Sequence, residues 1–178
     1  MHTLSFKRRR VICAMQLPKR PTEASWRSDS GQPAAIGVLV VDAAAENQAG
    51  LRAILNQANW PLDHVRTVAE TQPYVHEHKP AVVICERDLP DGDWKMVLDL
   101  FEDLPTRPNL IVTSRLADEA LWAEVLNLGG YDVLQQPFDA DEVCRVVFLA
   151  WHEHHRRNRA PKASPYPANR MTARPARL

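Results

Sequence analysis

The run Ala81-Val82-Val83-Ile84-Cys85-Glu86-Arg87-Asp88-Leu89-Pro90-Asp91-Gly92 constrains this chain more than any other stretch. Five apolar residues stand together, an acid follows, and a Leu-Pro-Asp-Gly turn closes the run. A short, wholly apolar run fits a strand covered on both faces, as in a parallel sheet. Glu86 then falls at the carboxyl end of that strand. In open α/β sheets those ends are where ligands and chemistry collect.

The same pattern opens earlier, at Ile36-Gly37-Val38-Leu39-Val40-Val41-Asp42, a second buried strand ending in an acid. Ala43 to Ala58 follows with Leu51, Ile54, Leu55 and Ala58 at helical spacing, and Asn59-Trp60-Pro61 ends it, because the residue before proline resists the helical region. Val65 to Val68 reads as a short strand and Glu70 to His78 as a short helix. Past the central strand, Trp94 to Glu102 is a helix with Met96, Val97, Leu100 and Phe101 as its apolar set. Asn109 to Thr113 is the fourth strand, and Asp118 to Leu128 a helix stopped by Gly129-Gly130. Tyr131 to Leu134 is the fifth strand. Asp139 caps a last helix reaching about His154, with Val143, Val146, Val147, Ala150 and Trp151 as its buried stripe. Strand and helix alternate five times, which calls for one α/β domain: a doubly wound, five-stranded parallel sheet with helices on both faces.

Charge divides the chain into three parts. Residues 1–35 carry seven Lys/Arg against two acids, and residues 152–178 carry seven against one, although the whole chain is neutral. The body between them is left with eight Lys/Arg and nineteen acids. Both ends are rich in Arg, Pro and Ser and lack periodicity. We expect a disordered basic arm over 1–35, an ordered domain over 36–155, and a disordered basic Pro/Arg-rich tail over 156–178. Met15 is an alternative first residue. No apolar run approaches the ~20 residues of a membrane span, and the piece after Lys7-Arg8-Arg9-Arg10 is short for a secretory signal. We expect a cytoplasmic protein without membrane contact. Cys13, Cys85 and Cys144 are odd in number and widely spaced, which suggests neither disulfides nor zinc. Cys85 and Cys144 read as small core residues.

Asp42, Glu86, Thr113 and Gln136 each follow a strand, and Pro137 follows Gln136. Parallel strand ends converge, so these side chains should share one crevice. With those residues in place the ordered body resembles the receiver domain of two-component response regulators. The markers are Val-Leu-Val-Val-Asp at 38–42, Leu-Pro-Asp-Gly at 89–92, Val-Thr-Ser at 112–114 and Gln-Pro-Phe at 136–138. The resemblance implies a flavodoxin-like sheet of strand order 2-1-3-4-5. It also implies a mechanism. An aspartate at the end of strand three takes a phosphoryl group from a histidine kinase, and an acid pair after strand one helps hold Mg²⁺. A Thr or Ser after strand four and a Lys after strand five contact the phosphoryl oxygens. The bond before the proline after strand five is typically cis, which we expect for Gln136–Pro137.

Three positions depart from that pattern. The phosphoacceptor position is Glu86, the second acid of the pair is Ala43, and the lysine position is Gln136. Together they remove a Mg²⁺ ligand, remove a fixed positive charge, and push a carboxylate one methylene into the pocket. Positioning chemistry is sensitive to errors of ~1 Å. We therefore expect a stand-alone, degenerate pseudo-receiver that is not an enzyme, has no catalytic residue, and acts by protein–protein contacts. Its pocket comprises Asp42, Ala43, Asp88, Thr113, Gln136 and Pro137 around Glu86. No cofactor is expected; Mg²⁺ on Asp42 and Glu86 belongs to a still-functional pocket. A neutral Gln136 can hydrogen-bond Glu86 directly. The alternatives are a functional phosphoacceptor, with Asp88 as a substitute acceptor, and a non-specific nucleic-acid binder working through the basic ends.

Partners would be another signalling protein, such as a histidine kinase or regulator, or a second copy. In the family the surface of the fourth helix, fifth strand and fifth helix is the usual contact face. Trp122, Trp151, Phe148 and Leu149 supply more apolar surface there than one core needs, although core packing is the simpler reading of the tryptophans. Val133, rather than Tyr131, takes the position of the family's switch aromatic. His152 and His155 share a helix face, and His76-Glu77-His78 and Glu153 add ligand types. No third ligand has an obvious reason to lie near, and a solvated helix end explains the histidines as well.

Overall fold

A computed structural model describes residues 36–159. The expected arm over 1–35, Met15, Cys13 and the chain from 160 onward lie outside the described residues. Within them the elements run β1 (Val38–Val41), α1 (Ala45–Gln57), β2 (Leu62–Val65), α2 (Val68–His78) and β3 (Val82–Glu86). Then come a hairpin of β4 (Asp88–Leu89) and β5 (Gly92–Asp93), α3 (Trp94–Asp99), β6 (Asn109–Ser114), α4 (Glu119–Leu128), β7 (Asp132–Gln135) and α5 (Ala140–Arg159). Five parallel strands form one sheet in the order β2-β1-β3-β6-β7. With the two-residue hairpin strands set aside, that is the expected 2-1-3-4-5 order.

The three central strands are buried along almost their whole length, as their unbroken apolar runs require. Leu39, Val41, Val83, Cys85, Leu110 and Val112 face one core with Trp94, Val97, Phe101 and Val125. Cys85 is fully buried, while Cys144 is only partly so, because α5 turns it toward the edge of its apolar stripe.

Several boundaries differ from the sequence reading, each for a local reason. The second strand is Leu62–Val65 rather than 65–68, because Thr67 caps α2: its side chain accepts from Glu70 N (3.1 Å), and Glu70 Oε2 accepts from Arg66 N (2.7 Å). Helix α1 starts at Ala45, since Asp42 Oδ1 takes the Ala44 N–H at 2.6 Å. It ends through Asn59, which adopts φ 56° while Asn59 N and Trp60 N close on Asn56 O and Leu55 O. That is a left-handed stop, which asparagine tolerates, rather than a proline stop. Past Asp99 the α3 bonds tighten to three-residue spacing, so the helix is shorter than expected, and Met96 is exposed while Trp94 takes its place in the core. The strand ending the sheet is shifted by one residue from the expected 131–134. Helix α5 continues through Arg159, past both its expected end and the expected tail boundary.

Candidate functional site

Register brings the strand-end residues together. Glu86 is the last residue of β3 and pairs with Thr113 on β6; Gln136 N binds Ser114 O (3.0 Å) just beyond β7. Three side chains converge as a result. Glu86 Oε2 accepts from Thr113 Oγ1 (2.9 Å) and from Gln136 Nε2, and Gln136 Nε2 also lies 3.4 Å from Thr113 Oγ1. Thr113 and Gln136 are buried and Glu86 is half-buried. The Gln136–Pro137 bond is cis, as expected.

Asp42 stands on the other side of Glu86, almost fully buried. Its Oδ1 caps the turn into α1, its carbonyl binds His64 Nε2 (2.6 Å), and its Oδ2 is buried without a hydrogen-bond partner. Ala43 contributes only backbone, its carbonyl accepting from Arg66 Nη2 (3.2 Å). Asp88 is exposed, turned outward and paired with Arg87 Nε (2.9 Å). The structure thus gathers Asp42, Glu86, Thr113 and Gln136 and leaves Asp88 on the rim.

Burial raises the Glu86 carboxyl above its ordinary range; the Thr113 and Gln136 hydrogen bonds pull it down, and the charges of Asp42 and Asp88 push it up again. Burial, with Glu86 and Asp42 behind it, drives the adjacent Cys85 thiol up as well. That thiol stays protonated and donates to Glu86 O (3.2 Å).

The loop after the pocket is built by acids acting as caps. Asp91 Oδ1 and Oδ2 accept from Val68 N (2.9 Å) and Ala69 N (3.0 Å) at the start of α2, which lowers its pKa. Asp93 Oδ1 caps α3 through Lys95 N and Met96 N. Lys95 Nζ crosses to Glu124 Oε1 (2.5 Å) and ties α3 to α4. A groove of about 490 Å³ runs beside the pocket between Arg87, Asp93, Trp94, Lys95, Asp118 and Glu124. The sequence reading missed this groove and its cations, Arg87 and Lys95; Arg87 had a signal, being next to Glu86.

The histidines point in different directions. His152 stacks near Phe148, His155 lies against Trp151, and His154 is buried with Nδ1 3.1 Å from Arg107 O. Among the described residues no group of three or more His, Cys, Asp or Glu is placed to hold a metal. Trp151 is core, as expected, but Trp122 is half exposed, its Nε1 donating to Asp132 Oδ1 (3.2 Å).

A five-stranded parallel sheet with acids and a hydroxyl at its carboxyl ends defines the class of switch domains to which these strand-end motifs pointed. The response regulator receiver domain family matches residues 38–148, and the chain belongs to it: the ordered body is a receiver domain of two-component signalling. A search of curated protein sequences returns no match. Solved structures share the fold. The signal receiver domain of an HD domain-containing protein from Pseudomonas fluorescens Pf-5 is 22% identical (TM-score 0.62, covering 69% of this chain and 99% of that one). The beryllofluoride-activated NtrC4 receiver domain dimer is 24% identical (TM-score 0.61, 66% and 98%). The receiver domain of sensor histidine kinase PA1611 from Pseudomonas aeruginosa PAO1, with a magnesium ion coordinated in its active-site cleft, is 18% identical (TM-score 0.60, 67% and 99%).

Receiver domains bind Mg²⁺, so the donor set here bears testing against that ion. Mg²⁺ is held by one or two carboxylates with waters filling its octahedron. The unpartnered Asp42 Oδ2 suits that need. Glu86 suits it less, since its Oε2 is committed to Thr113 and Gln136, and Ala43 adds no carboxylate. The residues make a thin Mg²⁺ site.

Proposed function

We propose that this receiver works as a binding module in a two-component pathway, in the cytoplasm and without a phosphoryl cycle. One observation carries the reading: a single carboxylate oxygen, Glu86 Oε2, holds both Thr113 and Gln136. Phosphoryl transfer is catalysed by positioning and by cations that offset charge on the transferring group. In this pocket the acceptor position is tied to the two groups that would have to receive the phosphoryl oxygens. The residue at the lysine position is a neutral amide. Glu86 fills the cleft from the protein's own side, so output would rest on the shape of the domain rather than on its phosphorylation.

The partner face we assign is α4, β7 and α5, where Trp122, Leu126, Leu128 and Leu149 stay exposed. A histidine kinase, a regulator or a second copy would cover it. One observation favours the other reading, a working phosphoacceptor. Asp42 Oδ2 is a buried carboxylate oxygen with no partner, and a cation would satisfy it. Intact mass after incubation with acetyl phosphate and Mg²⁺ separates the two. The binding-module reading expects no phosphoryl adduct on the natural chain. It also expects an adduct once Glu86→Asp, Ala43→Asp and Gln136→Lys are combined. An adduct on Glu86 or Asp88 of the natural chain overturns it.

A further inference from the structure

We propose that the face formed by α4, β7 and α5 selects its partner by a carboxylate, with Arg145 as the anchor that receives it. This rests on the partner face assigned above and names the chemistry that face recognises. Strand β7 is an edge of the sheet, and α4 and α5 both pack against it. On α4, Trp122 Nε1 reaches Asp132 Oδ1 (3.2 Å) at the first residue of the strand. On α5, Arg145, Leu149 and Glu153 stand four residues apart and so form one line along the helix. Tyr131, just before β7, lies within electrostatic reach of both helices' charges. Burial raises its phenol, Asp132 and Glu153 push it further up, and Arg145 and Arg157 pull it down.

Around Tyr131 the acids are engaged and one cation is not. Asp132 Oδ1 also accepts from Val133 N (2.9 Å), and both Glu153 carboxylate oxygens accept from Arg156 (2.7 and 2.8 Å). Arg157 is bound to Arg107 O (3.2 Å) and Asn109 Oδ1 (2.9 Å). Arg145 Nη2, by contrast, is buried and meets no hydrogen-bond partner. A charged donor held away from water without an acceptor is costly, and native chains rarely keep one without a use. On the same face Trp122, Leu126 and Leu149 are exposed. Tryptophan, tyrosine and arginine are the side chains that dominate binding energy at protein interfaces.

A carboxylate is the group this face lacks. It accepts paired N–H bonds from a guanidinium and sets one negative charge against one unpaired positive. A phosphoryl group would bring nearly two negative charges beside Asp132 and Glu153. A second copy fits less well. An isologous contact presents the same face again, and the acids it could offer, Asp132 and Glu153, are already engaged. The exposed Trp122, Leu126 and Leu149 ask for a segment that is apolar as well as acidic. An amphipathic helix with an acid beside its apolar stripe meets both needs.

The test is selection from a displayed library of amphipathic helical peptides against the full chain, then fluorescence anisotropy of the peptides recovered. They should share an Asp or Glu beside the apolar stripe. Changing that acid to its amide should weaken binding at least about tenfold to the natural chain and under about threefold to Arg145→Gln. Arg145→Glu should bind tightly again when the peptide's acid becomes Lys. Peptides without a shared acid, or an amide loss that is the same with Arg145→Gln, overturn the anchor and leave the partner face standing. Binding undiminished by Trp122→Ala with Leu149→Ala, or no peptide recovered, overturns the face as well. A dimer in sedimentation that Arg145→Gln dissociates gives the face to a second copy and overturns the acidic partner. Urea denaturation checks for a structural role. Arg145→Met should leave the midpoint unchanged or raise it, because it removes an unpaired charge; a fall shows that Arg145 holds the fold and overturns the assignment.

Discussion

At the carboxyl end of the sheet, Glu86, Thr113 and Gln136 meet around one oxygen; at the amino end, Asn109, His154 and Arg157 meet around the chain entering β6. Both are small, half-dry polar clusters, yet they differ in what surrounds them. The first has an unpartnered carboxylate beside it and an open groove next to it. The second is stapled over buried Trp151 and Ala150 and closes the core. The comparison separates a cluster kept for what it presents from one kept for what it holds.

Truncating Trp151 to Ala should be the costliest change, ~3–5 kcal/mol in urea denaturation, because it empties a buried aromatic site under the amino-end cluster. Glu86→Ala should cost less, ~1–3 kcal/mol, since it leaves Thr113 and Gln136 buried without their acceptor. Glu86→Gln should cost under ~1 kcal/mol, because the cost of keeping a charge half-buried is relieved as hydrogen bonding weakens. If Glu86→Ala proved worse than Trp151→Ala, the pocket would be the structural end and the comparison would be reversed. Asn109→Ala should fall near ~2 kcal/mol, the loss of two hydrogen bonds at a buried position, one of them to an arginine.

The smallest effect is pH-dependent. Arg107 O can only accept and Asn158 Nδ2 (2.9 Å from His154 Nε2) can only donate, so His154 is neutral with its proton on Nδ1. Burial lowers its pKa below the ordinary 6.5, opposed by the Arg107 carbonyl and aided by His155 and Arg157. The unfolded chain then binds a proton that the folded chain refuses. His154 thus contributes fully above pH 6.5, and its contribution fades as pH falls from there through the lowered folded value. Denaturation midpoints of the natural chain and of His154→Gln should converge in that window; a gap that widens on acidification would contradict the neutral assignment.

The pocket end was legible in the sequence and the amino end was not. Apolar runs ending in Asp42, Glu86 and Thr113 mark strand ends by themselves, and parallel register does the rest. Even the Gln136–Glu86 contact follows from replacing a cation with an amide at that position. The amino-end cluster has no such period. It joins a loop carbonyl at Arg107 to a helix side chain 47 residues later. Read alone, His152–His155 resembled ligands or a solvated helix end, and nothing local said that one of the three histidines faces inward. The end of α5 was placed early for the same reason: polarity suggested solvent where tertiary contacts hold the helix to Arg159.

The most direct measurement is the amide spectrum of the natural chain titrated with beryllofluoride and Mg²⁺. The account predicts that Arg87, Thr113 and Ser114 keep their shifts, because Glu86 already occupies the cleft and holds its neighbours. A saturating shift centred on those three residues would show a pocket that still takes a phosphoryl group, and would contradict it.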